Sequence, residues 1–345
     1  MIKFHAQFCG RIDLNLSQIL GVSRSQISNL IKSENVFIGE KKCKKAGEMV
    51  DEKDEIYVEI SSSILDDFTT QRELKNTKNL DENSGQNFSP NLSTNPDIFD
   101  IKIIYEDEDL LVLNKPCGLV VHPAPSVKEP TLVDWLKSKN YTLSTLNGEI
   151  RAGILHRLDK GTSGAIVVAK SNFAHTNLAF QLSDKTMGRI YLCATDLPLR
   201  ENTIIERAIG INPKNRLKKA IIANGRYAKS AFANIYNGEF NLIAAKLFTG
   251  RTHQIRVHLS SINRHILGDN LYGIKSKFTK IALHAYLLYF IHPRTQKLMK
   301  FEANLRENLL NFIDKLPNKE RIYDQISPDN LEFIFKHCDE WVHLN

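Results

Sequence analysis

At 345 residues, the chain is long enough for two domains, one of them with a large core. Hydrophobic residues make up 42% and charged residues 25%, which excludes a disordered polyelectrolyte. No apolar run approaches the ~20 residues of a membrane span, and the run over 285–291 is far too short. The formal charge is +7 and the pI about 9.0, a balance suited to a polyanionic partner such as nucleic acid. The five cysteines are odd in number and never closely spaced. They fit reduced thiols in a cytoplasmic protein better than a disulfide framework or a zinc knuckle. The start, Met1 to Gln7, lacks the apolar core of a signal peptide.

The first expected domain covers 1–60. Leu16, Ile19 and Leu20 have helical spacing. Ser23 and Gln26 make a capping-box pattern before Ile27, Leu30 and Ile31, so a second short helix starts near Arg24. Val36 to Ile38 and Ile56 to Ile60 read as strands, with a lysine cluster, Lys41 to Lys45, between them. Two helices and a small sheet that present Arg24, Lys32, Lys41 and Lys42 suit a module gripping an RNA backbone. Composition alone better fits a small domain with a solvated lysine loop. Residues 61–97 are rich in Ser, Asn, Asp, Thr and Lys and have no apolar period. They read as a flexible linker with a span of roughly 30–35 Å.

The second expected domain covers 98–305. Asp109 to Lys115 is a buried strand ended by Pro116, and Gly118 to Pro123 is expected to continue it. Thr131 to Ser138 reads as a helix with Thr131 and Asp134 as its cap. A β-branched run around Val167 and Val168 is a strand, and Phe173, Leu178 and Leu182 mark a helix. Strands are expected over Arg189 to Thr195, Ser230 to Tyr236 and Phe240 to Phe248. Many strands with few helices imply an α+β fold with a mixed, mostly antiparallel sheet. No nucleotide-binding glycine loop is present in the sequence. The stretch 306–345 reads as a tail, with one amphipathic helix around Leu331, Ile334 and Phe335.

The chemistry concentrates just before the Val167 strand. Gly161 and Gly164 bracket Thr162 and Ser163 in a tight polar loop, and Asp159 stands there beside Arg157 and Lys160. A carboxylate near positive charge stays ionised at neutral pH, as a nucleophile must. Local chemistry alone also fits a loop aspartate paired with an arginine. Four histidines, His156, His253, His258 and His284, are widely spaced and read as hydrogen-bonded structural groups rather than metal ligands.

Residues 156–164 meet every fixed position of His-Arg-Leu-Asp-x-x-Thr-Ser-Gly, so the loop resembles the signature of the RluA-type pseudouridine synthases. Asn114 to Leu119, Thr249 to His258, Gly268-Asp269 with Leu271 to Gly273, and Leu283 to Ala285 resemble further segments of that family. Arg11 to Asp13, Ser23 to Ser25 and Leu30 to Lys32 resemble an S4 RNA-binding domain, although Ile38-Gly39-Glu40 stands where that domain usually has Val-Asn-Gly. The layout is most similar to RluD-type enzymes acting on large-subunit ribosomal RNA. Gly161 and Ala152 depart from the common pattern, where an acidic residue and a proline are frequent.

The resemblance implies a catalytic domain of pseudouridine synthase type behind a small S4-like domain. It implies a reaction that breaks the bond from ribose C1′ to uracil N1 and re-forms it to C5, with no metal, no redox cofactor and no membrane. Asp159 would be the catalytic group, either adding to the sugar or removing a ribose proton. Arg256 would pair with it, Tyr191 would stack on the flipped uracil and handle the C5 proton, Arg157 would fill the gap left by the base, and Leu283 would form an apolar wall. The expected partner is large-subunit ribosomal RNA or a ribosome-assembly intermediate, met by a monomer. Rival readings are a transfer-RNA synthase of the same family, a non-catalytic RNA-binding assembly protein, and a glycoside hydrolase. The last normally needs two carboxylates where this loop offers one.

Overall fold

The structure, a computed structural model, describes residues 2–6, 8–20, 24–59, 99–124, 127–238, 240–273, 278–316 and 318–344. They form two compact units, 2–59 and 99–344. The expected linker over 61–97, and Ser23 of the expected capping box, lie outside the described residues.

The first unit runs β1 (Ile2–His5), β2 (Gly10–Arg11), α1 (Ile12–Leu20), α2 (Arg24–Lys32), β3 (Val36–Ile38), β4 (Lys41–Lys42), β5 (Met49–Val50) and β6 (Glu55–Val58). Strands β1, β6, β3 and β4 form one antiparallel sheet, and β2 pairs with β5. The helical spacing read from sequence puts Ile12, Leu16, Ile27, Leu30 and Ile31 into one core with Val36, Ile56 and Val58. Gly39, at φ +57, turns the chain between β3 and β4, a conformation that an L side chain resists.

The second unit contains β7 (Lys102–Glu106), β8 (Leu110–Lys115), α3 (Leu132–Ser138), β9 (Ser163–Ala169), α4 (Asn172–Ser183), β10 (Gly188–Thr195), β11 (Thr203–Glu206), β12 (Ile209–Ile211) and β13 (Lys219–Ile221). It continues with β14 (Lys229–Asn237), β15 (Asn241–Leu247), α5 (Gln254–Ser260), β16 (Leu283–Ile291), β17 (Leu298–Glu302), α6 (Glu307–Ile313), α7 (Lys319–Gln325), α8 (Pro328–Lys336) and β18 (Val342–Leu344). One sheet takes the order β18-β11-β14-β15-β10-β16-β9-β8-β7, with β17 also on β16. Its pairs are antiparallel except β16–β9 and β11–β18, so it is mixed and mostly antiparallel, as expected.

The long apolar runs follow from burial on both faces. Leu111, Leu113, Ile166 and Val168 enter the large core, whereas Leu110, Val112, Ala165 and Val167 enter a second core under α4. Helix α3 has the reciprocal cap read from sequence: Thr131 N–H donates to Asp134 Oδ2 (2.8 Å), and Asp134 N–H donates to Thr131 Oγ1 (3.4 Å). One expectation fails: 118–123 does not continue β8. Pro116 has no N–H to extend the ladder and Gly118 turns the chain at φ +92, leaving only a bridge from Val120 to Thr131. The stretch 306–345 holds more than one amphipathic helix. Helices α6, α7 and α8 place Leu309, Ile313, Ile322, Leu331 and Phe335 in the large core, Ile326 joins them from the turn after α7, and β18 adds a strand to the sheet.

Candidate active site

Asp159 sits in the loop that leads into β9. Its carbonyl accepts from Thr162 N–H (3.0 Å), which closes a tight turn. The loop is lashed to the segment after β8. Gly118 N–H donates to Lys160 O (2.7 Å), and the fully buried Lys115 ammonium donates to Pro116 O (2.9 Å) and Leu119 O (2.8 Å). Burial pulls the Lys115 pKa down to about 7. Gly164 follows at φ +113, so close to β16 that a Cβ would lie 2.2 Å from Ala285 O. Only glycine permits β9 and β16 to approach there.

Helix α5 delivers Arg256 from the opposite direction. Gln254 fixes its start: the side-chain Oε1 accepts from Thr249 Oγ1 and Arg251 N–H, and Nε2 donates to Lys229 O and Ser230 Oγ. Arg256 donates through Nε (2.7 Å) and Nη2 (2.8 Å) to Asp269 and lies 3.4 Å from Asp159 through Nη1. Asp269 also accepts the amides of Leu271 and Tyr272. Burial pushes the Asp269 carboxyl up, but Arg256 and the two amides outweigh it and hold the pKa below the ordinary value. Burial likewise opposes the Arg256 charge, and Asp269 with Asp159 more than offsets that, raising its pKa. His253 Nε2 lies 3.9 Å from Asp159, and its Nδ1 meets Tyr272 Oη (2.9 Å). Burial lowers the His253 pKa despite Asp159, so the ring is neutral near pH 7.

A cavity of about 570 Å³ opens over these groups. Arg157, Asp159, Tyr191, Arg256 and Leu283 all line it, so the structure brings together the five catalytic and substrate-binding candidates read from sequence. The Asp159 side chain is 18% exposed: it is neither sealed off nor directed into bulk water. Tyr191, on β10, is buried, and burial pushes its phenol up to about 12. Leu283 opens β16 and is buried. Arg157 Nη1 lies 3.4 Å from His122 Nε2.

The four RNA-binding candidates lie in the first unit. Lys32 and Lys41 are exposed. Lys42 is exposed and paired with Glu34. Arg24 is less available than expected, because its guanidinium binds the buried Asp13 (2.8 Å). Of the histidines, His258 contacts Ser230 Oγ and Arg207 O, and His284 contacts Ser163 Oγ and Ala303 O. His156 Nε2 accepts from Val167 N–H (3.2 Å). Sequence reasoning passed over the parts played by Lys115, Gln254 and Asp269, although each lies inside a segment singled out for its family resemblance.

With this geometry in hand, the known proteins give a consistent picture. A family model described as RNA pseudouridylate synthase matches residues 109–261. An uncharacterized RNA pseudouridine synthase of Helicobacter pylori is 44% identical over 337 residues, covering 94% of this chain and 95% of that protein. The ribosomal large subunit pseudouridine synthase D of Neisseria meningitidis serogroup A is 33% identical over 349 residues, covering 93% of this chain and 85% of that one. In fold, human RNA Pseudouridylate Synthase Domain Containing 4 is similar at a TM-score of 0.50 and 21% identity, over 63% of this chain and 94% of that one. Identity at this level, sustained across nearly the full length of both partners, means that the chain belongs to the RNA pseudouridylate synthase family.

Proposed function

We propose that this enzyme isomerises specific uridines in large-subunit ribosomal RNA, with Asp159 acting on the sugar of a flipped-out nucleotide. The carrying observation is the cavity shared by Asp159, Arg256 and Tyr191, in which Arg256 is itself fixed by Asp269. The ribosomal assignment draws on relatives named ribosomal large subunit pseudouridine synthase D. A base inside a helix cannot reach such a cavity, so the uridine must leave its stack. Asp159 then attacks C1′ or takes a ribose proton, and either role needs an ionised carboxylate oriented by a cation. Tyr191 keeps its proton to about pH 12, which favours ring stacking, worth roughly 1–3 kcal/mol, over acceptance of the C5 proton. Arg157 fills the vacated place in the stack, and Leu283 forms the apolar wall.

The first unit acts as an S4-like module holding the RNA backbone through Lys32, Lys41 and Lys42. The enzyme works as a cytoplasmic monomer. The test is pseudouridine mapping of ribosomal and transfer RNA from cells whose sole copy carries Asp159→Asn. Loss at one or more large-subunit uridines is expected. Loss confined to transfer RNA would redirect the substrate, and an unaltered map would reject the catalytic role of Asp159.

A further inference from the structure

The cavity contains a cation that the chemistry above does not use. Arg189 lies on β10 two residues before Tyr191, is 8% exposed and lines the cavity. Its Nε is buried without a hydrogen-bond partner, and among the described residues no carboxylate pairs with it. Its terminal nitrogen rests against Gly250, where a Cβ would come within 3.0 Å of Nη1. A full charge removed from water without a counter-charge is costly, and proteins seldom keep one in that state unless something arrives to meet it.

A second orphan stands nearby. His156 also lines the cavity, and the charge of Arg189 is close enough to add to the burial that depresses its protonation. The neutral ring accepts Val167 N–H at Nε2, so its one proton is on Nδ1, and that buried N–H has no acceptor. Both donors are sealed from water, but Arg189 keeps an exposed edge at the cavity, and its charge calls for a group that only accepts. The charged side chains lining the cavity are Arg157, Asp159, Lys185, Arg189, Arg251 and Arg256. One carboxylate among five cations leaves the site short of negative charge, even with Asp269 serving Arg256 from behind.

We propose that Arg189, with His156 beside it, is the receptor for the phosphodiester attached to the uridine that enters the cavity. Uracil oxygens are neutral acceptors that neutral donors can serve, whereas the phosphodiester is the anion that RNA supplies. Arg189 and Tyr191 point to the same side of β10, about 6.6 Å apart along the strand. That spacing lets one nucleotide engage both, its base at the ring and its phosphate at the guanidinium. The assignment rests on the RNA-uridine reading above and adds a positioning residue to it. In the free protein the arginine is a liability, compensated only when substrate binds.

The test uses the full chain with uridine, uridine 3′-monophosphate and uridine 5′-monophosphate as probes, and compares wild type with Arg189→Met and Arg189→Lys. Wild type should bind one monophosphate roughly tenfold or more tightly than uridine. Arg189→Met should erase that preference while leaving uridine affinity unchanged, and Arg189→Lys should recover part of it. The melting temperature of ligand-free Arg189→Met should equal or exceed that of wild type, because an uncompensated charge has been removed. The same preference in wild type and the Met variant, no preference in wild type, or a lowered melting temperature in the Met variant would each overturn the proposal. Turnover plays no part in these measurements. A chain that makes no pseudouridine in cells yet discriminates the monophosphate would defeat the catalytic reading and leave this one standing.

Discussion

Arg256 serves two carboxylates at once, and the two contacts differ. The bidentate pair with Asp269 is short and buried, whereas the contact with Asp159 is a single 3.4 Å approach at the cavity surface. Asp269 thus sets the guanidinium, and the guanidinium meets Asp159. Replacing Arg256 with Gln would leave Asp269 charged, buried and held only by two amides, so denaturant unfolding should show a loss of about 3–5 kcal/mol. Asp269→Asn keeps the shape and weakens the grip, and it should lower kcat in a single-turnover assay with little change in RNA affinity. Asp159, Arg256 and Leu283 could be singled out because each falls in a segment that resembles the family, and Tyr191 because the same resemblance points to it. The clamp by Asp269 goes unread, although the residue lies in such a segment. A carboxylate 13 residues downstream of an arginine carries no local signal, and only the return of the chain from α5 to 269 brings them within bonding distance.

At the scale of elements, legibility tracked burial only in part: β16 is long, apolar and buried, yet the sequence reading does not assign its run as a strand. Strands β8, β9, β10, β14 and β15 are long and apolar, and their sequences announce them. Strands β7, β11, β17 and β18 are three to five residues long and mostly lie near the margins of the sheet, where neighbours rather than residue type decide the conformation. Helix α5 buries Ile255, Val257 and Leu259 while offering Arg256 to the cavity. The C-terminal stretch reads as an appendage from sequence, yet Leu309, Ile313, Ile322, Ile326, Leu331 and Phe335 enter the large core, while Phe333 and Val342 stay exposed. Phe335, in α8, is fully packed beneath the sheet, so Phe335→Ala should cost about 3–5 kcal/mol by chemical denaturation. A loose tail would register almost nothing.

The whole molecule should be sensitive to mild acid. His175, His258 and His284 are buried, and burial holds each near a pKa of about 4. In the unfolded chain they titrate near 6.5, so folding stability from this source is complete above that value. It is lost as the pH falls from about 6.5 toward 4, because the unfolded state binds protons that the folded state refuses. At pH 5 each ring should forfeit about 2 kcal/mol. Denaturation midpoints at pH 7.5 and pH 5 should therefore differ strongly, and His284→Gln should remove one share of the difference. Equal midpoints at the two pH values would rule this out.

Strand β9 finds its parallel partner, β16, only after some 120 residues of intervening chain, at the register Ser163 to His284. Parallel pairings of such range form slowly, because the ends of a long loop must meet before any contact rewards them. Until they meet, Leu283 is missing from the wall around Asp159 and Gly164 has nothing to press against. The acid is written early in the chain, but its surroundings are assembled late, once the topology has closed. Half-made or half-folded molecules therefore carry Asp159 without its cavity.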